Sequence, residues 1–561
     1  MSCQTEGPVL VNSAVQCDIG NMTVDLDTDA GNKTLISTGE NISPDYSFWS
    51  TSSQVTDSQT SDRTYRPSQS TSNSDTDRVE NSLFVSSDRK FLVYESHLDK
   101  LFSYCSICNH TSQVTKHALG SCVAVTQFCM FCDRENHWTS QPMIGDLPAG
   151  NIHLSAAIYF SGASFAKVAR VLSALNVQGI SSATYYRHCD SFLQPTVLSF
   201  WHTHQLELIR QIASRTGEVV VAGDMRADSP GHCAKYGSYT MLEVRSNKII
   251  DVQLVQSNEV GGSSRMEKEG LVRSIKFLEE NGLLIDKLIT DRHPQIQKYL
   301  RDMKPSITHY YDVWHVAKAL RKKLEALGKE RECKVVQEWI KSIVNHLYWS
   351  AASSSTGEEA VAKWVSVANH IQNVHEHENW LFPICLHGDV SDRNWLQPST
   401  KACEKLTDIV VRKQLLADIA KLSPDYQTSS VEGFHSLILK FAPKNLIFSF
   451  KSMLCRLYLA ALHFNENSNR DHRVNAAGEP VQKVRFPKFK HGGHSVVLVK
   501  ESPSFDYVDE LLTLLFNSVL KDPTDYQQHI NDIVVPAPLC SEFQRPTVSV
   551  IRSRFCSYSE P

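Results

Sequence analysis

The chain lacks any apolar run near the roughly 18 residues that cross a bilayer as a helix, so a membrane span is not expected. Its first residues, MSCQTEGPVLVNSAV, lack a basic start followed by an apolar stretch, which argues against a secretion signal. No internal repeat is visible. Cysteine is not scarce, but its 15 copies are an odd number, and several fall in close pairs rather than across a small scaffold. With no secretion signal, that spacing favours reduced thiols and metal ligands over disulfides. The chain also lacks an excess of positive charge: its formal net charge is -4. Residues 1–87 hold twelve acidic and four basic residues, which leaves 53 basic (57 less 4) and 49 acidic (61 less 12) for the rest, a net of +4. A mildly positive body is compatible with phosphate binding where Lys and Arg cluster.

What is present divides into distinct textures. A length of 561 residues implies two to four folded units. Residues 1–88 form an acidic Ser/Thr-rich leader (TSSQVTDSQTSDRTYRPSQSTSNSDTD) with too little apolar surface to offset its backbone entropy, and disorder is expected there. Residues 89–150 hold a compact cysteine-bearing unit. Residues 151–215 read as helices (LSAAIYFSG, SFAKVARVLSALN and a long third run), with NVQGIS supplying the Gly and Ser of a helix-turn-helix connection. In 216–328 the period shifts to that of strands: EVVVA, YGSYTMLEV and KIIDVQLVQ, then the amphipathic helix MEKEGLVRSIKFLEENG. The strand LLIDKLIT, the helix PQIQKYLRDM and the segment HYYDVWHVAKALRKKLEAL, extended and then helical, complete this stretch. Three strands, a helix and two further strands predict an α/β sheet of mixed direction, the order of an RNase-H-like core. Residues 329–425 read as a Trp-rich helical insertion, 426–470 return to the core, and 471–561 form a tail with no assigned role.

Three carboxylates stand out by position. Asp224 follows EVVVAG, Asp291 follows LLIDKLIT, and Glu432 opens the helical stretch VEGFHSLILK. Side chains at neighbouring strand ends of an α/β sheet share one rim. Clustered carboxylates repel one another unless a hard cation lies between them, and Mg²⁺ or Mn²⁺ held this way serves phosphoryl transfer. The ordinary alternative is that an Asp after a strand simply caps the next helix.

GDMRADSPGHCAKYGSYTMLEV, TDRHPQIQKYL, YDVWHVAKAL and SSVEGFHSLILKFAPK resemble, in that order, the blocks of eukaryotic DDE-type cut-and-paste DNA transposases with a helical insertion before the Glu, the Kolobok-, Mutator- and hAT-like group. The resemblance runs over about residues 100–470. It implies that Asp224, Asp291 and Glu432 are the catalytic triad. Asp312-Val-Trp-His315 matches the (Cys/Asp)-x-x-His step of several such families, which makes Asp312 and His315 supporting residues; an N-cap and a buried hydrogen-bonded His are the competing account.

Cys105-x₂-Cys108 and Cys129-x₂-Cys132 are two knuckles that suit four thiolates around a structural Zn²⁺ in a zinc-ribbon-like unit, with His110, His117 and His137 as substitute ligands. His370, His375, Cys385 and His387 form a second candidate zinc set, with His377 as an alternative and a surface His-rich loop as the rival reading. Tyr185, Tyr186, Arg187 and His188 fall near the start of the third helical run, where a recognition helix contacts DNA; plain packing is the alternative. Arg321-Lys322-Lys323 and Lys483, Arg485, Lys488 and Lys490 are basic clusters suited to phosphate contacts or nuclear import; a solvated helix face accounts for the first run equally well.

These readings lead to an expectation. It is a nuclear DNA transposase that binds double-stranded DNA at element ends and target, works as a homo-oligomer, and uses Mg²⁺ or Mn²⁺ for hydrolysis and strand transfer and Zn²⁺ for structure. A domesticated DNA-binding or chromatin-associated descendant that no longer cuts is the main rival. A nuclease without strand transfer and a zinc-dependent protein-interaction module are the others.

Overall fold

The computed structural model describes residues 88–555 apart from 230–233, 389–392, 424–428, 489–491, 540, 542 and 545. The leader expected to be disordered and the basic residue Lys490 lie outside the described residues. After helix α1 (Glu95–Phe102), strands β1 (Gln113–Leu119), β2 (Cys122–Cys129) and β3 (Arg134–Thr139) form an antiparallel meander in the order β1-β2-β3. Helices α2 (Ala149–Phe160), α3 (Phe165–Ala174), α4 (Ser182–His188) and α5 (Gln194–Ala213) follow. Ser181 caps α4 by accepting the Thr184 N–H, the service a hydroxyl before a helix provides.

The second sheet is built from β4 (Val220–Ala227), β5 (Tyr236–Glu243), β6 (Lys248–Gln256), β7 (Lys287–Thr290) and β8 (Thr308–Tyr311), in the spatial order β8-β7-β4-β5-β6. β4, β5 and β6 are an antiparallel meander, and β7 and β8 add to the other side of β4 in parallel. Each parallel step needs a crossover, supplied by helices α6 (Met266–Glu280) and α7 (Pro294–Met303). The strands read as unbroken apolar runs because both faces are covered. Val220, Ala222, Leu242, Val252 and Ile289 join a core with α2, α5 and later helices. Val221, Tyr239, Met241, Ile250 and Leu288 point the other way, toward Leu271, Ile275 and Leu278 of α6.

Beyond β8 the chain is helical: α8 (Val313–Leu327), α9 (Val336–Ala352), α10 (Gly357–His370), α11 (Lys401–Val410) and α12 (Lys413–Ile419). These helices share an apolar core of their own, in which Val316, Leu320 and Leu324 meet Trp364, Ile343 and Leu406. Helices α13 (Ser429–Phe441) and α14 (Phe450–Asn467) return to the sheet, where Tyr458 stacks on Trp201 at 5.2 Å. The segment that had no sequence assignment is partly core. Tyr507, Leu511 and Leu512 of α15 (Asp506–Leu514), with Ile530 of α16 (Thr524–Asn531), are buried against α2 and α5, and the Tyr507 hydroxyl donates to the Phe160 carbonyl at 3.1 Å. Among the described residues no helix is long and apolar enough to cross a membrane.

Candidate active site

Register brings two of the carboxylates to one level. β4 and β7 pair in parallel with Ala222 opposite Ile289, so Asp224 and Asp291 each lie two residues further along adjacent chains. Asp224 stands inside its strand, opposite Thr240, rather than after it as the sequence suggested. The pairing with β5 continues to Ala227 and Gly237 and carries the strand through Asp224. Glu432 occupies the first turn of α13, and the buried Val431 and Phe434 pack that helix onto the sheet. Its neighbour one turn on, His435, has Nδ1 3.4 Å from the Asp224 carboxylate and Nε2 3.2 Å from the Thr240 hydroxyl. His315 places Nδ1 2.5 Å from Asp291 and 3.3 Å from Asp312. Asp312, almost wholly buried, also accepts the Trp314 N–H and so caps α8, as the alternative account of this residue expected.

A further carboxylate belongs here. Glu267, in the first turn of α6, feels the charges of Asp224 and Asp291, and its carboxylate is 3.9 Å from His293. Helix α6 reaches the sheet closely because residue 270 is Gly: a Cβ there would lie 2.3 Å from the Tyr239 Cβ. The sequence did carry a signal for Glu267. Gly270, Leu271, Ser274, Ile275 and Leu278 form the buried stripe of α6, and Glu267 continues it at helical spacing where an apolar residue is expected.

Electrostatically the cluster is under load. Burial, and then the Asp224 and Asp291 charges, push Glu267 up to about 8. Burial first and Asp224 next raise Glu432. Burial raises Asp291 as well, against the lowering contact with His315. For His315 burial opposes the charge, but Asp291 and Asp312 outweigh it and lift the imidazole to about 10. Carboxylates held out of water against their mutual repulsion form an all-oxygen donor set suited to a hard divalent cation. Asp291, Asp312 and His315 bring ligand atoms within 4.8 Å of one another, and the charges of Asp224 and Asp291 are felt at Glu267 and Glu432.

The meander carries the second chemistry. Cys105 Sγ lies 3.6 Å from Cys132 and Cys108 Sγ 3.4 Å from Cys129, far beyond a disulfide bond. All four thiols fall within 4.8 Å of one another. A tetrahedral zinc with Zn–S of about 2.3 Å has S···S edges of about 3.8 Å, so the set fits the ion. Backbone N–H groups of Cys108 and Ile107 aimed at Cys105 hold its thiol down to about 6. His110 stacks on Phe131 and turns Nδ1 to the Cys108 carbonyl, and His137 faces Thr126, so neither takes a ligand's place. His117 is exposed on β1. In the helical insertion His370, His375, Cys385 and His387 also converge within 4.8 Å.

The residues expected to read DNA are placed differently. Tyr185 is buried and stacks on Phe165, with ring centroids 4.4 Å apart, and His188 is buried against the Ser155 hydroxyl at 2.8 Å. Three-residue spacing on α4 turns both toward the core, which leaves Tyr186 and Arg187 exposed. Tyr185 and His188 are therefore packing residues of this fold and are not presented to a groove. Of the basic clusters, Lys322, Lys323, Lys483, Arg485 and Lys488 are exposed.

Residues 255–379, 125 of the 561, match the family model of Mutator-like transposases. That segment includes Asp291, Asp312 and His315 and stops short of Asp224 and Glu432. The chain is also similar, at 11% identity and a TM-score of 0.28, to the protein of the Drosophila P element transposase strand transfer complex, over 57% of this chain and 92% of that one. No curated protein matches the chain. The family match supports a transposase.

Proposed function

We propose that the protein is a DDE-type DNA transposase whose catalytic carboxylates are Asp224, Asp291 and Glu432. One observation carries the reading. Glu432, from a helix more than 200 positions beyond Asp224, lies close enough to Asp224 and Asp291 for their charges to raise it, and Asp224 acts likewise on Asp291, at one rim of a mixed sheet. The sheet's order, a three-stranded meander extended by two parallel strands, supports the reading of an RNase-H-like core.

Asp224, Asp291 and Glu432 would hold Mg²⁺ or Mn²⁺. Divalent ions bound in such a site activate water or a 3′ hydroxyl and stabilise the leaving oxygen of an in-line phosphoryl displacement. The chain's own residues set the geometry. His435, seated on Thr240, steadies the Asp224 carboxylate, and a protonated His315 holds Asp291 and Asp312 together. Glu267, pushed up to about 8 by burial and then by Asp224 and Asp291, is a carboxyl that a bound cation would help to ionise. Hydrolysis at an element end frees a 3′ hydroxyl, and attack by that hydroxyl on target DNA is the same displacement with a different nucleophile. No covalent enzyme intermediate is required.

The Cys105, Cys108, Cys129 and Cys132 set would bind structural Zn²⁺ in a zinc-ribbon-like unit. That unit, the exposed Arg187 and the basic clusters on α8 and near Lys483 supply DNA contacts. Bringing two element ends together calls for a homo-oligomer, and the substrate places the protein in the nucleus.

The test is Mg²⁺- or Mn²⁺-dependent cleavage of DNA carrying candidate element ends, comparing wild type with Asp224→Ala, Asp291→Ala and Glu432→Ala. Loss of cutting with retained DNA binding in all three supports the assignment. Equal cutting by the variants refutes it, and a wild type that binds but never cuts points to a domesticated DNA-binding protein.

A further inference from the structure

The described residues of the link between α10 and α11, 371–388 and 393–400, have almost no regular secondary structure, yet they lie against a helical core. Among its described residues the sheet pairing is a single antiparallel bridge, Glu376–Ile384. Such a segment needs something besides backbone ladders to fix its shape. Four donors stand where a fastening would be. His370 is the last residue of α10, His375 lies just after it, and Cys385 and His387 return beside them across the bridge.

Distances between donor atoms fit a tetrahedron. His387 Nε2 is 3.3 Å from His370 Nδ1, and Cys385 Sγ is 3.6 Å from the same nitrogen. A zinc with Zn–N of about 2.05 Å and Zn–S of about 2.3 Å has N···N edges of about 3.3 Å and N···S edges of about 3.6 Å. The three imidazoles meet nearly at right angles, with centroids 4.9 to 5.0 Å apart, as rings do when each aims a lone pair at one point.

Outer contacts select that tautomer for His387 and His375, while His370 Nε2 is buried without a hydrogen-bond partner. His387 Nδ1 is 2.7 Å from the Gly388 carbonyl, so Nδ1–H donates there and Nε2 carries the lone pair. His375 Nε2 reaches the Asn373 side-chain oxygen at 3.0 Å, which leaves Nδ1, buried and without a hydrogen-bond partner, facing inward. His377 is not a fifth donor. Asn369 faces its Nδ1 at 3.3 Å, and its Nε2–H points at Cys385 Sγ at 3.3 Å, the contact that stabilises a thiolate. Ligands oriented by outer hydrogen bonds are the ordinary construction of a protein metal centre. Without an ion, several buried lone pairs would face one another with nothing between them.

We infer that His370, His375, Cys385 and His387 bind one Zn²⁺, a structural site separate from the four-cysteine set, which clasps the 371–400 link to the end of α10. One thiolate and three imidazoles in tetrahedral array, with all four positions taken by protein, suit zinc and leave no open position for catalysis. The clasp holds Trp395 within 5.6 Å of His370, and that ring packs in turn on Trp339 of the insertion core.

Elemental analysis of the full-length chain, purified without chelator, tests this. Wild type is expected to carry about two zinc ions per chain. His387→Ala should lower the content by about one, Cys105→Ser with Cys108→Ser by about one through the other site, and the combination to near zero. Because truncation can unfold the link for other reasons, His387→Cys is the control: a thiolate replaces the imidazole, and zinc should be retained. Full zinc content in His387→Ala, or a loss in His387→Cys equal to that in His387→Ala, overturns the assignment. The readout is metal content alone, so failure of the cleavage test leaves it unaffected.

Discussion

Replacing Glu267 by Gln keeps the shape of the side chain and removes its charge from the carboxylate cluster, which makes the cost of that charge measurable. Burial and the facing Asp224 and Asp291 raise Glu267 from 4.5 to about 8 in the metal-free chain. A carboxyl whose folded value is raised keeps its proton in the folded state while the unfolded chain has lost it. Its contribution is therefore present below pH 4.5 and is lost as pH rises to about 8. At about 1.4 kcal/mol per pH unit, that interval amounts to at most about 5 kcal/mol. Gln does not titrate, so the variant should match wild type near pH 4.5 and exceed it in stability by several kcal/mol near pH 8. Thermal unfolding of chelator-treated protein between these pH values, followed by fluorescence, reports the difference. Added Mg²⁺ should stabilise wild type more than the variant at the upper pH, because the cation relieves the same repulsion. Parallel pH profiles for the two proteins, or a variant less stable at pH 8, would refute the electrostatic account of this cluster.

Gly270→Ala places a Cβ 2.3 Å from that of Tyr239, so α6 must move off the sheet; a loss of about 1–3 kcal/mol, with weaker metal-dependent cleavage as Glu267 retreats, should appear in melting and activity assays. Arg292, next to Asp291, pairs with Asp418, whose side chain is only 5% exposed, and ties the insertion to the core. Arg292→Ala leaves that carboxylate only the Gln414 amide, 3.0 Å away, and should cost about 1–3 kcal/mol in urea unfolding, whereas Arg292→Ala with Asp418→Leu should recover much of it. His346, fully buried and donating from Nε2 to the Lys363 carbonyl at 2.6 Å, is held down to about 4, first by burial. Its neutral form favours the folded state above pH 6.5, and about 3 kcal/mol is lost as pH falls to about 4. His346→Gln should flatten that part of the acid-unfolding profile; an unchanged slope would reject the assignment.

Local sequence signals announced the elements that depend on local rules. Strand and helix periods gave the succession from β4 to α8, since alternation and amphipathicity are imposed on each segment by what it must bury. The Cys-x₂-Cys pairs were legible for a similar reason: a knuckle is a few residues long, and its spacing alone sets where two thiols can point. Less legible was the fate of α4. Helical spacing shows that Tyr185 and His188 share a face, but not that Phe165 and Ser155 wait on the other side of it. The C-terminal helices gave no sequence sign of belonging to the core because their apolar residues meet α2, hundreds of positions away.

By itself, then, the sequence determined which segments could be strands or helices and which residue types were available for metal chemistry, because period and composition are local properties of the chain. Tertiary structure alone decided which carboxylates share one site. The parallel register of β4 with β7 levels Asp224 with Asp291, the glycine under Tyr239 admits Glu267, and the return of α13 after the insertion delivers Glu432 and His435. Charge coupling depends on distances of a few ångströms through low-dielectric surroundings, and such distances between remote residues exist only once the chain has folded.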